Sequence, residues 1–203
     1  MALMAGVFFL VLWAEARAIP SYGSKSELFA LTEEQTRPIT GVVTTIHMSG
    51  RKPGMAQAQT LVGGLPSITR IYLVRVVNSS DDNSGDHEVQ LFREWLSQTH
   101  PGVEAIVLDT QLNRYMPDED KIITLTEDLR VPRRHGNVVV DVTADTKPCT
   151  IVMTEAAKRA GLPVTYMATV HGDEPGQVFR PISVYDPDGI FSAEHSQAST
   201  ETP

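Results

Sequence analysis

Apolar positions in this chain follow two alternating periods, and the alternation lays out its elements. "ELFAL", 27–31, is a short apolar strand followed by polar "TEEQTRP". "ITGVVTTIHM", 39–48, is read as a helix despite its β-branched residues, and 51–70, rich in Gly and Pro, as a loop or broken helix. "IYLVRVV", 71–77, is a β-rich run, and "NSSDDNSG" after it has the polar composition of a loop ending in helix-capping residues. In "HEVQLFREWLSQTH" the positions Val89, Phe92, Trp95 and Leu96 make one apolar helical stripe, stopped by Pro101-Gly102. "VEAIVLD", 103–109, is the next strand, and Ile122, Leu125 and Leu129 share a face of the helix that follows.

"NVVVDV", 137–142, is nearly all β-branched, as in a strand covered on both faces. "KPCTIVMTEAAKRAGL" reads as a helix closing on Lys158-Arg159 and Gly161, "PVTYMATV" as a strand, and "QVFRPISVYD", 177–186, as an edge strand or hairpin. Such alternation predicts an α/β fold, a mostly parallel sheet with helices on both faces, over 27–186. The polar segment 187–203 reads as a disordered tail.

The N-terminus is a separate piece. "ALMAGVFFLVLWA" runs from Ala2 to Ala14 without a charge before Glu15 and Arg17. As a helix it covers about 20 Å, short of the roughly 30 Å of a hydrocarbon core. A signal peptide, a membrane anchor and a packed core element all fit residues 1–20, with 21–26 as a linker. As an anchor, the basic residues Arg17 and Lys25 after the run would put the remainder of the chain in the cytoplasm.

Composition narrows the chemistry. The 203 residues suffice for one domain with a short appendage, and the formal charge of −8 argues against a general DNA or RNA coat. Any anionic ligand needs a local basic patch. The single cysteine, Cys149, excludes an internal disulfide, and the six histidines lack zinc-site spacing. No GxGxxG, GxxxxGK[ST] or GxSxG motif occurs, so no cofactor and no metal is expected.

In open α/β sheets ligands bind beyond the carboxyl ends of the strands. The informative loop there is "TADTKP", 143–148. Thr143 and Thr146 offer hydroxyls, the amides of a helix start lie beside them, Lys147 puts a charge in the first turn, and Pro148 suits the first helical position. Lysine there opposes the helix dipole, which a bound phosphate would explain. An ordinary helix start capped by Asp145 or Thr146 fits the same residues.

The stretch "VVVDVTADTKPCTIVMTEAAKRAGLPVTY", 138–166, resembles the strand, turn and helix of CARF domains, the CRISPR-associated Rossmann-like sensors of cyclic oligoadenylates, whose motif reads approximately D-x-T-x-G-T-K-P-M. Asp141, Thr143, Thr146, Lys147 and Pro148 match it. Asp145 stands where the family has Gly or another small residue, and Cys149 where it has Met. The extra carboxylate would repel a phosphate unless it points away or bonds a ribose hydroxyl. The likeness extends over roughly 26–185, with a specific motif only at 141–150.

The resemblance implies a cyclic oligoadenylate ligand, tetra-adenylate above all, and a homodimer or homotetramer with the ligand on a two-fold axis. It implies a ligand-binding turn of Thr143, Ala144, Asp145, Thr146, Lys147 and Pro148, in which Lys147 and the helix amides hold phosphate, while Thr32, Gln35, Asn78, Ser79 and Ser80 reach adenine or ribose from the other loops. With residues 2–19 as the only candidate effector, the chain looks like the membrane-anchored CARF proteins. These are single-pass in the inner membrane, with a cytoplasmic CARF domain, and arrest growth during phage infection by forming a pore. A stand-alone ring nuclease that cleaves the ligand is the alternative, and a Rossmann-like protein without nucleotide ligand a third.

Overall fold

The computed structural model describes residues 31–49, 52–53, 55–77, 84–143, 146–167 and 181–191. Residues 1–30, expected to hold the anchor, the linker and most of the first strand, lie outside them, as do 192–203 of the expected tail. No helix among the described residues is long and apolar enough to cross a membrane, which overturns the expected single-pass inner-membrane location.

Glu33–Thr36 is a short helix, α1, and leads into strand β1, Gly41–Ser49, which turns back as β2, Lys52–Pro53. Helix α2, Ala56–Gly64, then precedes β3, Arg70–Val77, and α3, Ser84–Thr99. There follow β4, Glu104–Asn113; α4, Glu119–Arg133; β5, Val138–Asp141; α5, Lys147–Ala160; β6, Val164–Met167; and β7, Pro181–Tyr185. The sheet order is β4-β3-β1-β5-β6-β7, with β2 paired to β1. β1, β3, β4, β5 and β6 are mutually parallel, and β7 closes one edge antiparallel to β6. This is the expected Rossmann-like, mostly parallel α/β architecture.

The segment read as a helix at 39–48 is instead the central strand. Val42, Val43, Thr44, Thr45 and Ile46 are branched at Cβ, which costs χ1 freedom in a helix and suits a pleated surface. Successive residues point to opposite faces, so Val42 and Ile46 enter one core and Val43 the other. The first core packs α4 and α5 on the sheet through Leu125, Leu129, Val152, Met153 and Ala156. The second packs α2 and α3 on the other face through Leu61, Val62, Val89, Phe92 and Leu96. Each of these Val, Leu, Met and Phe side chains, when fully buried, stabilises the fold by roughly 1.5–3 kcal/mol.

Two further differences have local causes. Between Leu73 and Arg75 the pairing with β4 slips from Val107 to Gln111, a bulge in β4. Its Thr110 N–H and hydroxyl both donate to Asp128 of α4, at 2.9 and 2.6 Å, so the interrupted ladder leaves no orphan there. At the other end, residues 187–191, expected to open a disordered tail, are ordered: Asp186 accepts from Ile190 N and Phe191 N, and Phe191 is 4% exposed in the second core.

Helix α5 stops where the pattern places its end. Gly161 is left-handed at φ 68°, and Leu162 N donates to Ala157 O at 2.9 Å. The Arg133 guanidinium from α4 adds a 2.6 Å bond to Ala160 O. A Cβ on Gly161 would stand 2.6 Å from that guanidinium. Gly161→Ala is therefore expected to destabilise the fold by about 1–3 kcal/mol, read as a lower urea midpoint at unchanged slope.

Candidate functional site

β1 is the strand at which the sheet order reverses: the chain moves outward from it through β3 and β4, then crosses to its other side for β5, β6 and β7. After β1 the chain leaves for α2 on one face, and after β5 it leaves for α5 on the other. The two connections diverge and a crevice opens between them, at the position where such sheets bind ligands. The strand lengths deepen it. β5 pairs with β1 only at Gly41–Val43 and ends at Asp141, while β1 continues to Ser49 and folds back as β2.

The turn between β5 and α5 is held from below by Asp141, which is 1% exposed. Its Oδ1 accepts from Thr143 N and from Gln57 Nε2, each at 3.2 Å. Its Oδ2 accepts from the Thr143 hydroxyl at 2.9 Å and the Thr165 hydroxyl at 3.5 Å. The Thr143 oxygen in turn accepts from Met167 N of β6 at 2.6 Å. Burial pushes the Asp141 carboxyl up to about 6, and the bonds from Thr143, Gln57 and Thr165 only partly oppose it.

The start of α5 is anchored differently. Thr146 occupies the N-cap position with extended backbone, but its hydroxyl donates to Arg114 O at 2.8 Å and makes no cap bond. Cys149, buried one turn into the helix, faces Asn113 O at 3.5 Å. The end of β4 thus supports the helix start from the far side. Lys147 is exposed in the first turn and Pro148 lies beside it, with no acid in that turn. Helix α2 begins in the same way, with Met55 at its N-cap, no side-chain cap and no acid in its first turn. The other helices carry acids there: Glu33 and Glu34 in α1, Asp86 in α3, Glu119 and Asp120 in α4.

Of the residues singled out in the sequence, the structure brings Thr143, Thr146, Lys147 and Pro148 to this crevice. Ala144 and Asp145 of the same turn, and Asn78, Ser79 and Ser80 after β3, lie outside the described residues. Thr32 and Gln35 do not belong to the site. They form the capping box of α1, which precedes β1 and so leads to the opposite, N-terminal edge of the sheet. Gln35 Nε2 is committed to Phe191 O at 2.7 Å.

Gln57 and Arg114 are the contributors that sequence reasoning missed, since only the fold brings them to the turn. Tyr115 and Met116, next to Arg114, are 66% and 68% exposed, and Ile151, one turn beyond Lys147, is 54% exposed. Among the described residues no group of three or more His, Cys, Asp or Glu is placed to hold a metal ion. A cavity of about 580 Å³ lies elsewhere, between α3 and the β3–β4 edge, where Arg75 pairs with Asp86 at 2.7 Å.

Asp141 gives the site a pH signature. Its folded-state value is raised above the unfolded 3.8, so its contribution to stability is fully present below about pH 4 and is lost as pH rises through about 6. The loss is on the order of 3 kcal/mol for a shift of this size. In urea unfolding at pH 4–7, wild type should lose stability relative to Asp141→Asn across that window. A constant difference between the two would contradict the assignment.

No protein-family model matches the chain, and no curated protein matches it. Among solved structures it is similar to Can2 from Sulfobacillus thermosulfidooxidans in complex with cyclic tetra-adenylate, at 14% identity and a TM-score of 0.48. The similarity covers 67% of this chain and 33% of that one, so the chain spans about a third of that protein's length.

Proposed function

We propose that the crevice between the ends of β1 and β5 binds a cyclic oligoadenylate, and that the chain is a CARF-type sensor of this second messenger in a type III CRISPR response. One observation carries the reading. The two helices that begin at the crevice, α2 and α5, are the two among the described helices whose N-cap residue makes no side-chain cap bond and whose first turn holds no acid. A helix start in that condition offers amides and the positive end of its dipole to an anion. Lys147, disfavoured there by the dipole, becomes favourable once a phosphate is present. In a chain of net charge −8 this is a local reversal of sign. The motif at 141–148 specifies which anion: it resembles the phosphate-holding turn of CARF domains.

The residues divide by role. Lys147 and the amides of α5 contact phosphate directly. Thr143 and Thr146 have their hydroxyls committed to Asp141, Met167 and Arg114, so they shape the turn that presents those amides. Ala144, Asp145, Asn78, Ser79 and Ser80, outside the described residues, are the further ligand contacts that the resemblance implies. A ring of four phosphates suits a two-fold pair of such turns. Tyr115, Met116 and Ile151, apolar and exposed beside the turn, are the surface that a second copy would cover.

Calorimetric titration with cyclic tri-, tetra- and hexa-adenylate tests the reading, with chromatography of the ligand afterwards. Tight binding of the tetra-adenylate is expected, one ring per dimer. Lys147→Ala should weaken it by about 10- to 100-fold, the range for a charge-assisted hydrogen bond. Unchanged affinity in that variant, or no binding of any ring by wild type, overturns the proposal, while cleaved product would move the function to a ring nuclease.

The second copy has its own test. Light scattering should give a dimer, and Ile151→Asp should shift it to monomer and weaken ligand binding while the urea midpoint holds. A dimer unaffected by that change would place the interface elsewhere.

A further inference from the structure

The bond between Gln57 and Asp141 is the one side-chain hydrogen bond shown to cross the crevice among the described residues. Its partners are 84 positions apart in sequence and 3.2 Å apart in space. Gln57 stands in the first turn of α2, on the wall built by β1, β2 and their continuation. Asp141 ends β5, beneath the opposite wall. Its carboxylate also holds the Thr143 N–H and hydroxyl, and the Thr143 oxygen takes the Met167 N–H of β6. A movement of the α2 start therefore passes through one buried carboxylate into the turn that leads to Lys147.

The direction of the bond matters. The Gln57 amide donates and the Asp141 carboxylate accepts, and the other groups within hydrogen-bond reach of that carboxylate are the neutral donors of Thr143 and Thr165. No cation among the described residues contacts it. An amide at position 57 is thus a specific fit: a carboxylate there would face Asp141 as a second acceptor, and an apolar side chain would leave one carboxylate oxygen short of a partner in a buried site. Nothing in the 51–70 pattern marks Gln57, because its partner lies in a segment distant in sequence.

We infer that Gln57 is a positioning residue: by bonding Asp141 across the crevice it fixes the spacing of the two walls and holds Thr143, where β5 gives way to the connection toward α5, in place for a phosphodiester. Gln57 touches the turn through Asp141 rather than the ligand. The inference rests on the ligand reading above for what the turn receives, but the mechanical link itself is independent of any ligand.

The test exchanges donor and acceptor. Gln57→Glu sets two acceptors face to face, Asp141→Asn supplies a donor from the other side, and the double variant Gln57→Glu/Asp141→Asn restores a donor–acceptor pair with reversed polarity. Amide hydrogen exchange at Thr143 and Met167 is followed without ligand, and cyclic tetra-adenylate affinity by titration. Exchange at both amides should quicken about tenfold in Gln57→Glu; in the double variant Met167 should return to near wild type, while Thr143, whose N–H shares its acceptor oxygen with Gln57 and would then face the new side-chain amide, stays fast. Affinity should fall and recover in parallel. Exchange indifferent to Gln57→Glu, or a double variant no better than the single one at Met167, overturns the inference. If wild type binds no cyclic oligoadenylate, the ligand reading fails alone and the exchange pattern still decides whether the link exists.

Discussion

A parallel strand inside a two-faced sheet has no side that water can reach, so it must offer apolar groups in both directions. β1 meets that demand with Val42 and Ile46 on the α2–α3 side and Val43 on the α4–α5 side. The rest of the architecture follows from its central place. With β3 on one side and β5 on the other, the connections that follow β1 and β5 must depart to opposite faces. Such a divergence is where open sheets of this order carry their ligand crevice. The crevice is therefore a consequence of strand order, and the site residues decorate a space that the sheet had to create.

Those residues also forgo local stability. A side-chain cap on a helix contributes about 1 kcal/mol, and α1 and α4 take that contribution from Thr32 and Asp118. α2 and α5 forgo it, and Thr146, a residue type well able to cap, turns its hydroxyl to Arg114 O instead. The same hydroxyl thus tethers the helix start to the residue that follows β4 and makes no cap bond to the first turn. A helix start arranged this way is less stable alone than it could be, which is the condition that the proposed anion site calls for.

The elements with a clean period were legible in the sequence. α3, α4 and α5 show their apolar stripes, and β3 and β5 their β-branched runs, because in each the pattern and the burial coincide. β1 was misread since Gly41, His47 and two threonines interrupt its apolar run, and the 3.6 period fits as well as the 2.0 period. That error moved a loop. Once "ELFAL" was taken as the first strand, Thr32 and Gln35 fell at the carboxyl edge of the sheet, whereas α1 leads to its amino edge. The turn at 143–148 is marked by a local motif, while Gln57 and Arg114 depend on contacts between distant segments, which no window of sequence contains.

Asp141 shows how the two kinds of information meet. In the pattern it is a lone acid closing a β-branched strand, a residue that burial penalises. In the fold it is tolerated because Thr143, Thr165 and Gln57 surround it with donors, although these do not offset desolvation fully and the carboxyl stays near 6. A group poised there is easily biased by a neighbouring charge. An anion seated on α5 would disfavour the ionised form further, and a proton taken up by Asp141 would in turn ease that anion's entry. The carboxylate that shapes the turn is thereby coupled to what the turn holds, and Gln57, as one of its donors, sits within the same balance.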